Sequence, residues 1–90
     1  MRVTFDPAKN ARNTAERGLP FLLVADLDWA AAIVQVDDRR DYGEVRLRVL
    51  ALLRGRLHVA VITRRDDAVH VISFRKANRK EVQHYGQIQR

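Results

Sequence analysis

The sequence predicts an α+β fold: two N-terminal helices, an antiparallel sheet of three to four strands, and a C-terminal helix. Three observations carry that expectation. Apolar residues are spaced helically before residue 33 and alternate with period two after it. Helix-capping residues stand at both ends of the chain, at Asp6-Pro7 and at Asn78. Two short polar turns, Arg54-Gly55 and Asp66-Asp67, divide the β-rich stretch into a meander.

Met1 to Phe5 reads as a short edge strand. Asp6 then offers its carboxylate to free amides, and Pro7 loses nothing at the first helical position. Ala8, Ala11, Ala15 and Leu19 give this helix a small inner face, with Gly18 as a left-handed C-cap. Pro20 starts a second helix ending at Asp26 or Trp29, and its apolar residues Phe21 to Leu27 project nearly all round it. The strands are Ile33–Asp37, Val45–Leu53, Leu57–Arg65 and Ala68–Lys76, with a polar loop from Asp38 to Gly43. A two-residue turn at Asp66-Asp67 pairs Arg65 with Ala68 and Thr63 with His70. Given that turn type, the register puts Leu57, Val59, Val61, Ile72 and Phe74 on a core face that runs on to Thr63, Arg65 and His70. His58, Arg64, Ser73 and Arg75 take the other face. Asn78-Arg79-Lys80-Glu81 has the form of a capping box opening a third helix, with Val82, Tyr85 and Ile88 as its stripe.

Ninety residues, 47% of them hydrophobic, make one domain spanning 1–90 with a thin core. There is no cysteine, which excludes disulfides and thiolate chemistry. The first residues show no signal-peptide pattern and no run is long enough to span a membrane, so a cytoplasmic protein is expected. The net charge is +6, unevenly placed: residues 1–44 carry six Lys/Arg against eight Asp/Glu, residues 45–90 eleven against three. A basic half on a small domain attracts polyanions, nucleic acid above all, although arginine also serves as ordinary solvated surface.

The candidate chemistry clusters late in the chain. Arg79 and Lys80 occupy the first turn of the third helix, where cations oppose the helix dipole and an anion would offset them. Arg75 precedes them, and Lys76 lies between. His58, His70 and His84 match no metal-binding spacing, and His58 and His84 read as surface residues. His70 lies near Arg65 and Thr63 in the expected register. Lys9 reads as a solvated lysine, Glu81 as a capping residue and Tyr85 as core packing unless chemistry claims them. There is no glycine-rich phosphate loop and no Ser/His/Asp pattern.

Phe5-Asp6-Pro7-Ala8-Lys9, Asn13, Gly18 and Phe21 resemble the start of BrnT toxins, as do Gly43-Glu44-Val45-Arg46 and Thr63-Arg64-Arg65 further on. Val71-Ile72-Ser73-Phe74-Arg75-Lys76-Ala77, followed by Glu81 and Tyr85, is the closest stretch, and the resemblance covers nearly the whole chain. It implies a RelE-like ribonuclease toxin of a type II toxin–antitoxin system, neutralised by a DNA-binding, ribbon-helix-helix BrnA antitoxin, with RNA as substrate. Self-repression of the operon by the toxin–antitoxin complex follows from the same likeness; a homodimer or a heterotetramer is also expected, and no membrane association. The chain departs from the family pattern in three places. Glu16-Arg17 stands where Lys-His is usual, His70 and Phe74 replace Arg and Ala, and Leu22 and Leu23 follow Phe21 where glutamates are common.

A mechanism without metal or other cofactor fits these residue types, because the 2′-hydroxyl of RNA is itself the nucleophile. The protein then supplies a base (Glu81 or Lys9), an acid (His70 or Tyr85) and cations for the phosphorane, here Arg65, Arg75 and Arg79. Arg64, Lys76, Lys80 and Lys9 are the expected RNA contacts, and Leu22 and Leu23 the expected partner surface. The competing expectations are a non-catalytic nucleic-acid-binding module and a ParE-like toxin acting on a protein.

Overall fold

The computed structural model describes residues 1–89. Strand β1 (Val3–Phe5) leads into helix α1 (Pro7–Arg17), then two 3₁₀ turns, Phe21–Asp26 and Trp29–Ala31. Strands β2 (Ile33–Val36), β3 (Leu47–Leu53), β4 (Arg56–Arg65) and β5 (Ala68–Lys76) follow, and helix α2 (Arg79–Ile88) closes the chain. The fold is α+β, as expected, but the sheet has five strands in the order β1-β5-β4-β3-β2 and is mixed. β2 to β5 form the antiparallel meander, whereas β1 pairs parallel to β5, with Thr4 beside His70. Chain direction at that edge is set by the long crossover through α1 and the meander, which a three-residue strand cannot announce.

The ends of α1 are as its sequence dictates. Asp6 accepts from the amides of Ala8 and Lys9, and Gly18 closes the helix at φ +67°. Its inner face is not the alanine stripe, however: Ala8, Ala11 and Ala15 are exposed and no α1 residue is buried. Amide side chains hold it instead. Asn10 Oδ1 accepts from Phe21 N at 2.8 Å, and Asn13 Nδ2 donates to the carbonyls of Leu19 and Phe74 at 2.8 and 3.1 Å.

The expected second helix is the pair of 3₁₀ turns. Phe21, Val24 and Leu27 are buried and recur every third residue, so a three-residue turn seats all of them where 3.6 residues per turn would not. Leu22 is left 60% exposed and Leu23 packs partly against the core.

One sheet face carries the larger core, with Leu19, Phe21, Val24 and Leu27 packed over Val49, Ala51, Leu53, Ala60, Ile62, Val71 and Phe74. The opposite face carries a smaller one, Leu50, Leu57 and Val59, with Ile33, Leu52, Ala77 and Tyr85 packed against it. The central strand β4 is thus buried on both sides from Leu57 to Thr63. His58 is accordingly a core residue, 3% exposed, with Nδ1 bonded to the Arg56 carbonyl and its ring 5.4 Å from that of Phe74. The surface expectation for His58 fails because β4 has no solvent face there, and burial pushes its pKa down.

The β4–β5 register follows the sequence near the turn, with Arg65 opposite Ala68 and Thr63 opposite His70, and Asp66 in the left-handed region at φ +56°. At Ile72 it slips: a bulge leaves Ile62 opposite Val71 but Val61 opposite Ser73. Beyond it each β5 residue changes sides relative to the unbroken register, so Phe74 enters the larger core beside Ala60. Ser73 and Arg75 move to the face of Val59, Val61, Thr63 and His70.

Candidate active site on the open sheet face

The face that bears the smaller core is only half covered, since α2 packs over its apolar end. Towards the Asp66 turn the same face turns polar, and the pairings set out its rows. Gln35, Arg48, Val61 and Ser73 lie side by side across β2 to β5, and Thr63, His70 and Thr4 form the next row across β4, β5 and β1. The bulge is what unites them, because His70 and Arg75 are an odd number of residues apart and would otherwise face opposite ways.

At the boundary between the covered and open halves stands Glu81, 8% exposed. Its Oε1 accepts from Arg75 Nη1 at 2.8 Å and from the Asn78 amide at 2.8 Å; its Oε2 accepts from Arg75 Nη2 at 2.9 Å and from Arg48 Nη2. Asn78 Oδ1 in turn accepts from Glu81 N, completing the capping box. The Arg75 guanidinium, foremost, and the amide and Arg48 bonds hold the Glu81 pKa down at about 2. A carboxylate so saturated and so acidic is a poor proton acceptor; its geometry suits holding two arginines in place.

His70 stands among polar groups of four elements. Its Nδ1 shares a 2.9 Å hydrogen bond with the Thr4 hydroxyl, and Arg65, Glu44, Lys9 and Asp6 all act on its charge. Burial, then the Arg65 cation, lowers its pKa below the ordinary 6.5, so the ring is neutral near pH 7. Arg65 Nη2 reaches Glu44 Oε1 at 3.4 Å, and Arg46 Nε reaches Glu44 Oε2 at 3.4 Å. The Thr63 hydroxyl is spent on the Val45 carbonyl at 2.8 Å.

Of the residues expected from the sequence, Arg65, His70, Arg75 and Glu81 share this face, and Lys9 stands close enough to act on His70. Arg64 and Lys76 do not: they pair with Val69 and His58 and belong to the opposite face. Tyr85 packs in the smaller core, its hydroxyl donating to the Ala31 carbonyl at 2.9 Å. Arg79 and Lys80 are exposed at the start of α2, where Glu81 already supplies the negative charge that the helix dipole favours.

Sequence reasoning passed over Arg48, Arg39, Glu44 and Thr4. For Arg48 a signal existed: it extends the row of Leu50 and Leu52 at period two, an apolar row that turns basic where the core ends. For Arg39, in a polar loop, none did.

Among the described residues no three or more His, Asp or Glu side chains gather as a metal site, and no helix is long and apolar enough to cross a membrane. Neither the curated proteins nor the solved structures contain a match to the chain. A family model does match, over residues 5–81: that of the ribonuclease toxin, BrnT, of type II toxin–antitoxin systems. The match runs from the last residue of β1 to the first turn of α2 and takes in the polar face except Thr4, and the chain belongs to the BrnT family of ribonuclease toxins.

Proposed function

We propose that this chain is a metal-independent endoribonuclease on a RelE-like fold, and that its reaction centre is the open sheet face around His70. The observation that carries this reading is the β5 bulge, which puts His70, Ser73 and Arg75 on one solvent-facing surface with Arg65 and Arg48. Bulges serve to re-aim side chains in this way.

The neutral His70 ring accepts the proton of the 2′-hydroxyl as that oxygen attacks the adjacent phosphorus. Arg65 and Arg75 neutralise the charge that builds on the phosphorane oxygens, and Arg48 lies further along the same face. Lys9, whose charge acts on His70, returns a proton to the departing 5′-oxygen, so the acid and base roles are the reverse of those expected from residue type. Glu81 takes no proton in this scheme; it orients Arg75 and Arg48. A BrnA-type ribbon-helix-helix antitoxin silences the enzyme, and exposed Leu22, with the uncovered alanines of α1, is the surface proposed to receive it.

The test is cleavage of single-stranded RNA by purified protein in excess chelator, with the product ends identified by mass spectrometry. Ends carrying 2′,3′-cyclic phosphate are expected. Strict dependence on an added divalent cation, or 5′-phosphate ends, would overturn the mechanism.

A further inference from the structure

Beside the reaction centre, on the β2 side of the same face, lies a hollow of about 330 Å³ lined by Gln35, Val36, Asp37, Asp38, Arg39, Arg48 and Arg75. Three guanidinium groups therefore border one small polar cavity, brought there by a loop and by β3 and β5, the strands on either side of central β4. Each is held from behind by a carboxylate. Asp37, its side chain only 2% exposed, takes Arg39 Nε and Nη2 at 2.7 and 2.8 Å and the Tyr42 hydroxyl at 3.3 Å. Glu81 takes Arg48 and Arg75. Among the described residues, Arg39 Nη1, Arg48 Nε and Arg75 Nε make no hydrogen bond. With both carboxylates saturated, the hollow presents unused cationic donors, opposed only by exposed Asp38.

We infer that this hollow is a subsite for a phosphate of the RNA strand next to the one being cleaved; the inference rests on the reading of the face as a ribonuclease centre. Planar forks with spare N–H groups match phosphate oxygens, several at once. A nucleobase is a poorer fit, because no aromatic ring lines the hollow: the face of Tyr42 is covered by Arg46, 4.1 Å from its centroid. Arg48 is two strands away from Ser73, a separation of about 10 Å at ordinary strand spacing, which a nucleotide or two spans. The subsite therefore favours longer strands over short ones and is indifferent to base identity.

Binding of uncleavable 2′-O-methyl RNA tests it apart from catalysis. The paired change Asp37→Asn with Arg39→Gln removes the loop cation without leaving a buried charge alone. At fixed low salt it should weaken binding of a tetranucleotide about tenfold, whatever its sequence, and leave a dinucleotide unaffected. In the unaltered protein, inorganic phosphate should shift the Nε–H resonances of Arg48 and Arg75 and the Nη–H resonances of Arg39, and compete with the tetranucleotide. Unmoved resonances in the unaltered protein would overturn the subsite whether or not the variant folds, and so would no loss, or equal loss for both lengths, in a variant that melts as the wild type does. If the tetranucleotide shows the loss while unmodified RNA is never cut, the subsite stands and the nuclease reading falls. If RNA is cut but length makes no difference, the subsite alone falls.

Discussion

Glu81 joins three jobs in one carboxylate: it caps α2, pairs with Arg75 and pairs with Arg48. Its side chain is 9% exposed and its partners 37% and 29%, so solvent screens the pairs only partly. Glu81→Gln keeps the shape but removes the charge, leaving two arginines without their partner. A loss of about 2–3 kcal/mol in unfolding free energy is expected from chemical denaturation. The pH dependence has a definite sign. The folded pKa, about 2, lies below the ordinary 4.5, so between those values the unfolded chain binds more protons. The stabilisation is present above about pH 4.5 and is lost as the pH falls towards 2. Asp37, lowered from 3.8 to about 2 chiefly by its bond from Arg39, acts in the same sense. Melting temperatures of the wild type should thus fall steeply across that interval, and Glu81→Gln should flatten part of the fall. An unchanged acid profile in the variant would show that Glu81 is not the tightly paired carboxylate described here.

At the scale of elements, the sequence announces what is local and conceals what is not. Asp6-Pro7, Gly18 and the Asn78–Glu81 box mark helix ends through bonds between near neighbours, and the Ala68–Lys76 strand is as expected from its turn and alternation. The bulge at Ile72 has no comparable mark, because nothing in Val71-Ile72-Ser73 forbids regular pairing. Only competition between the two faces for Phe74 settles it. The 3₁₀ segment likewise depends on which of its apolar residues the sheet receives. This separates Leu22 from Leu23, which look alike in sequence. Leu22→Glu should leave the thermal melt nearly unchanged and weaken capture by a BrnA-type antitoxin in a binding assay. Leu23→Glu buries part of a charge against the larger core and should lower stability by about 1–3 kcal/mol. If Leu22→Glu binds antitoxin as tightly as wild type, the partner surface lies elsewhere.

Across the whole molecule, the excess positive charge of residues 45–90 does not form one patch. Arg46, Arg48, Arg65 and Arg75 gather on the polar face, held by Glu44 and Glu81. Arg64 and Lys76 fall on the opposite face, and Arg79 and Lys80 flank the start of α2. Composition could signal an appetite for polyanions but not which arginines act together. Membership of the site depends on strand register and on a loop that folds over the edge of the sheet. Arg65, His70 and Arg75 were therefore legible as chemical types, whereas their common surface, and the part of Arg48 and Arg39 in it, were not. Two places compete for the reaction: the sheet face around His70 and the exposed first turn of α2 around Arg79. Single-turnover cleavage of one RNA by His70→Ala and Arg79→Ala, at fixed salt and with both folds verified by melting, separates them most directly. His70→Ala should slow cleavage by about a hundredfold or more, as loss of a proton-transfer group does, and Arg79→Ala by no more than a few fold. A His70→Ala protein that cuts RNA at the wild-type rate, beside an inactive Arg79→Ala, would contradict the assignment of the sheet face.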